Sequence, residues 1–139
     1  MSQSRAPPLI DIMDLAINEL IIKWYPALVE KEIFALKHIV YTYHDLHWGC
    51  APEDEVITRI VRCSKKFRTE SEASQALEQL IKKKIVYSVK TRPTWKGSRV
   101  FDFCQSEFAE EAMGTFDYII QNNICAFFVP HKSSNSGLQ

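Results

Sequence analysis

Residues 90–99 read KTRPTWKGSR, and they place Arg92, Lys96 and Arg99 close together around a turn whose tight backbone Gly97 permits. Cations at that spacing suit an anion. Arginine matches phosphate oxygens in a planar fork and also fits a narrow minor groove. Trp95, set among them, has two readings: its ring lies along a sugar-phosphate edge or stacks on an unpaired base, or it folds back to staple the hairpin. A second group is His44-Asp45-Leu46-His47-Trp48-Gly49-Cys50, with Cys63 further on, which offers zinc-ligand types at His-x2-His and His-x2-Cys spacing. That is not a standard finger spacing, and histidines at a helix end usually face its negative carbonyls or solvent, so no metal is expected. The four glycines are scattered rather than gathered into a phosphate loop, and no Cys or Ser comes with a positioned His and an orienting acid. Neither an enzyme nor a cofactor is expected.

The formal net charge is zero, yet twelve of the seventeen Lys and Arg residues and only three of the seventeen acids (Glu70, Glu72 and Glu78) fall between Arg59 and Arg99. That segment carries +9, offset by −5 before it and −4 after it. A polyanion responds to the local field, so the neutral total hides the informative quantity. The plainer alternative is that these cations only solvate exposed helix faces. Lys82, Lys83 and Lys84 have the same two readings: a favourable charge at a helix end, or extra phosphate contacts.

A chain of 139 residues with 46% apolar and 24% charged side chains suits one globular domain, expected over residues 8–129 with residues 1–7 disordered and 130–139 a flexible tail. No apolar run is long enough for a membrane span, and MSQSRAPP lacks a secretory apolar core, so an intracellular protein (cytoplasm and nucleoid, or nucleus in a eukaryote) is expected. The four dispersed cysteines read as reduced, mostly buried thiols.

Helical periodicity predicts a first helix over residues 8–25, apolar around much of its circumference and so in need of two partners. Pro26 stops it. A second helix follows from about Val29 to His47, and Ala51-Pro52-Glu53-Asp54-Glu55 reads as the start of a third, with proline early and three carboxylates at the positive end of the dipole. Thr69 with Glu72 forms a capping-box pattern ahead of a fourth helix over 70–84, with Ala73, Ala76, Leu77, Leu80 and Ile81 on one face and Ser71, Ser74, Gln75 and Glu78 on or near the other. The period then changes. IVYSVKT (85–91) and RVFDFCQ (99–105) predict a two-stranded hairpin with the basic stretch as its loop. A fifth helix is predicted over 106–122, and ICAFFV (124–129) reads as a short buried or interface segment.

The expected class is therefore mainly α with a two-stranded β hairpin (α+β). This order of elements, with ASQALEQLIKKKIVYSVK followed by a basic loop and RVFDF, resembles the winged helix-turn-helix proteins over residues 28–105. The flanking helices are similar in layout to those of the MarR and PadR groups of dimeric transcriptional regulators. The resemblance implies that helix 70–84 is a recognition helix, with Ser71, Ser74 and Gln75 toward base edges of double-stranded DNA and Arg68 and Thr69 meeting phosphate at its amino-terminal end. It implies that Arg92, Trp95, Lys96 and Arg99 belong to a DNA-contacting wing, and that the first and last helices join a homodimer. Glu70 and Glu78 oppose groove binding, because a carboxylate repels phosphate. They leave open a second reading, a winged-helix module that docks a protein partner without direct sequence-specific DNA binding.

Overall fold

The computed structural model describes residues 9–46, 51–63, 69–90 and 99–128. Helix α1 (Leu9–Trp24) buries Met13, Ile17, Leu20 and Ile21 and packs on both α2 (Glu30–Leu46) and α5 (Ser106–Phe128), the two partners its broad apolar stripe demands. Helix α2 is central. It touches all four other helices and strand β1 (Ala51–Pro52), and it has Ala35, Leu36, Ile39 and Val40 fully buried.

A helix enclosed on so many sides also encloses polar groups, and each of these needs a partner. Glu32, only 6% exposed, accepts the Val29 N–H at 3.0 Å and the Lys83 ammonium at 2.7 Å through the same Oε1. Buried Lys37 lies 3.4 Å from Asp14 and 4.9 Å from the centre of the Phe34 ring. Thr42 donates back to the His38 carbonyl at 2.7 Å. His38 sits between Phe34 and Tyr41, its Nδ1 buried without a hydrogen-bond partner. Burial, aided by the adjacent Lys37 charge, pulls its pKa down to about 4.

Helix α3 (Glu53–Cys63) buries Val56 and Ile60 and has its three leading carboxylates in the first turn, as expected. Arg59 ties it to the end of α2, pairing with Asp45 at 2.7 Å and with Glu55 at 3.0 Å. Helix α4 (Glu70–Lys82) begins with the predicted capping box: Thr69 Oγ1 accepts the Glu72 N–H at 3.2 Å, and Glu72 Oε1 accepts the Thr69 N–H at 3.3 Å. It ends at Lys82, two residues short of the expected 84, in a reversed turn. Lys84 N–H donates to the Ile81 carbonyl and Ile85 N–H to the Leu80 carbonyl, both at 3.0 Å, with Lys84 in the left-handed region at φ 62°. Leu80 and Ile85, at either side of that turn, are both buried in the core, where this kind of helix end usually places apolar residues.

Strands β2 (Val86–Lys90) and β3 (Arg99–Phe103) pair antiparallel, with Val86 opposite Phe103 and Lys90 opposite Arg99. The sheet has three strands rather than two. Ala51 and Pro52 pair with Phe101 and Val100, giving the order β1-β3-β2, so the stretch expected to open α3 instead forms a short edge strand. An edge is where proline, lacking an N–H, is tolerated. A second correction concerns α5, which continues through residues 124–128 instead of stopping at 122. A third concerns the thiols, since Cys63 and Cys104 are exposed. The element order and the sheet give a mainly helical winged helix-turn-helix with flanking helices α1 and α5 packed on each other. No described helix is long and apolar enough to cross a membrane.

This packing has two measurable consequences. His38 binds its proton more weakly folded than unfolded, so its contribution is fully present above about pH 6.5 and is lost as pH falls toward about 4, a total of about 3 kcal/mol. Urea unfolding across that range should show the loss in the wild type and a flatter profile in His38→Leu. Thr69→Ala removes the side-chain half of the capping box and should lower stability by about 1 kcal/mol, read from the urea midpoint at unchanged m.

Candidate nucleic-acid interface

The site is built on α4. Ala73, Ala76, Leu77 and Leu80 are buried and face inward against α2 and α3, which turns the other side of the helix out. Ser71, Gln75 and Glu78 are exposed there at spacings of four and three, and Ser74 is half-buried beside them. Together with Lys31 from the first turn of α2, these side chains line a shallow groove along the outside of α4. Lys31 carried no signal in the sequence, because 40 residues separate it from Ser71 and nothing in a helical period connects the two.

Thr69 stands at the amino-terminal end of α4, but both its hydroxyl and its N–H are engaged in the capping box. That same box accounts for Glu72, whose carboxylate reaches back to the helix start. Glu70 occupies the first helical position, where the free N–H groups and the dipole stabilise an anion. Among the described residues it makes no ion pair.

Glu78 is accounted for differently. Arg99, the first residue of β3, directs Nη2 to both Glu78 of α4 and Glu53 at the start of α3, the latter at 3.1 Å, and its guanidinium lies 5.3 Å from the centre of the Phe101 ring. The base of the wing is therefore joined to both helices of the helix-turn-helix. In the sequence, Arg99 and Glu78 belong to one candidate surface with opposed effects. The structure brings the two into direct contact.

Arg68, Arg92, Trp95 and Lys96 lie outside the described residues, as do His47 and Cys50. His44 is stacked on Phe116 with ring centres 4.3 Å apart, and its nitrogens lie 3.6 Å from Asp45 and 3.5 Å from Asp117. Among the described residues no three His, Cys, Asp or Glu side chains converge as a metal site would require. A larger cavity lies between α1, α2, α3 and α5, walled by Met13, Phe34, Tyr41 and Phe116. Its Lys37 is paired with Asp14 and its Arg59 with Asp45 and Glu55, so those charges are spent within the fold.

No family model matches this sequence, and no curated protein matches it. Among solved structures the chain is similar to that of MepR, a transcription regulator of the Staphylococcus aureus multidrug efflux pump MepA, at 12% identity over 85% of this chain and 78% of that one, with a TM-score of 0.48. It is also similar to a MepR mutant from the same organism bound to an oligodeoxyribonucleotide, at 14% identity over 84% of this chain and 76% of that one, with a TM-score of 0.47.

Proposed function

We propose that the chain is a dimeric winged-helix DNA-binding protein that regulates transcription, contacting duplex DNA through α4 and a basic wing. The observation that carries this reading is the exposed polar edge of α4. Ser71 and Gln75 stand outward on a helix whose other side is anchored in the core, within a segment of charge +9. An α-helix fits the major groove of B-DNA, and glutamine can make a two-point contact with adenine there. Ser74 lies beside them, and Arg68 and Thr69 would meet phosphate near the start of the helix. Arg92, Lys96 and Trp95 would hold the adjacent backbone or minor groove from the wing. Glu70 sits at the start of α4, where the helix dipole accommodates its charge, and Glu78 is paired with Arg99, which weakens the objection these two acids raise.

Dimerisation is supported by apolar side chains left uncovered on the flanking helices: Leu15 and Ile22 on α1 and Tyr118 on α5. A two-fold dimer built on them would present two α4 helices to half-sites about one helical turn apart. A second reading, a module that docks a protein partner instead of DNA, has one observation in its favour: Tyr87 and Val89 stand exposed on β2, an edge strand.

Binding to mixed-sequence duplex DNA should weaken steeply with salt. The Arg92→Ala/Lys96→Ala double variant should bind every duplex more weakly and flatten the log-log salt slope by about 2. Unchanged binding of that variant would remove the wing from the mechanism. Absence of duplex binding at low salt, together with a stable heteromeric complex, would select the docking reading. Sedimentation should give twice the chain mass for the wild type and a single chain for Ile22→Asp; a monomeric wild type would reject the dimer.

A further inference from the structure

We infer that Arg99 serves the DNA-binding surface as an internal counterion and positioning residue for Glu78, and not as a phosphate ligand of its own. This rests on the DNA-binding reading above and assigns a role within that surface. Glu78 is the acid on α4 that neither cap nor dipole explains: it is half exposed, three positions from Gln75 and seven from Ser71, on the edge that would face a groove. Left alone there, its carboxylate would repel a polyanion. Arg99 removes that charge from the surface by direct hydrogen bonding.

Three features keep Arg99 in that role. Its side chain is only 28% exposed, so it is set into the surface and does not project from it. The Phe101 ring beneath it is fully buried and fixes where the cation can lie. Glu53, the more enclosed of the two carboxylates, holds the same nitrogen from the start of α3, where the helix dipole already stabilises a negative charge. Arg99 is thus held from the α3 side and presented to Glu78 on the α4 side. The contact also joins the root of β3 to the recognition helix, so the wing and α4 would meet one duplex as a connected pair.

The test is a double-mutant cycle on affinity for a labelled mixed-sequence duplex, measured across a salt series with the full chain. Glu78→Gln alone should bind within about threefold of wild type, because the charge it removes is already neutralised. Arg99→Gln should bind at least about tenfold more weakly, because it uncovers Glu78. The double variant should return to within about threefold of wild type and keep the wild-type salt slope, since no phosphate contact has been lost. The inference is overturned if Arg99→Gln loses the same factor in both backgrounds, if the double variant's slope falls by about one, or if Glu78→Gln alone tightens binding tenfold. Glu78 is exposed, so its variant will fold and its affinity tests the inference even if Arg99→Gln does not fold. A wild-type chain that fails to bind duplex DNA would overturn the DNA-binding reading and this inference with it, whereas wild-type binding without coupling overturns this inference alone.

Discussion

The orientation of α4 depends on Glu32. This carboxylate lies almost wholly inside the protein, at the start of the central helix, and one of its oxygens holds both the Val29 N–H and the Lys83 ammonium at the far end of α4. A buried carboxylate without partners would be protonated or would disrupt its surroundings. Its need for a cation therefore constrains where α4 can end. The reversed turn over Lys83, Lys84 and Ile85 begins at that contact and leads the chain directly into β2. A lysine accepts the left-handed backbone there, normally a position for glycine, because Leu80 and Ile85 are buried across the turn and Lys83 is held beside it. The end of α4 and the start of β2 are thus set by one ionic contact inside the fold.

The same central position explains why α2 contains so many polar groups for a buried helix. Three of them join α2 to different neighbours. Glu32 reaches α4 and Lys37 reaches Asp14 of α1, while Asp45 accepts Arg59 of α3. Half-buried pairs of this kind contribute little net stability compared with apolar packing, because desolvation and solvent screening offset much of the attraction. Their effect is to favour one arrangement of neighbours over others.

Much of this was legible in the sequence, and what was legible was local. Thr69 and Glu72 are three residues apart, so the capping box could be read directly, as could the buried edge of α4 and the strand character of residues 86–90 and 99–103. Strand β1 escaped because two residues have no period, and Ala51-Pro52 before three carboxylates has the composition of a helix start. Its identity as a strand comes only from pairing with Phe101 and Val100, roughly fifty residues later. The extension of α5 escaped because Asn122 and Asn123 resemble a stop, and ICAFF after them has no polar face from which a helical period could be read. In the candidate site, the outward residues of α4 follow from helical spacing. The Arg99 contacts with Glu53 and Glu78 span 46 and 21 residues and follow from the fold alone.

Counting charges along the chain and counting them on a surface give different answers, and the difference bears on what the outer face of α4 presents to a partner. Between Arg59 and Arg99 the sequence sum is +9, but Arg59, Lys83 and Arg99 are all committed to carboxylates within the fold. The surface available to a partner is therefore less positive than the segment. It is also less negative than α4 alone suggests, since Glu72 closes a cap and Glu78 meets Arg99. Internal pairing thus trims both signs, leaving uncharged Ser71 and Gln75 as outward groups along the first half of α4. In the DNA-binding proposed above, attraction for the polyanion would then come from cations flanking these residues, with the neutral side chains between them free to discriminate among sequences by hydrogen bonding.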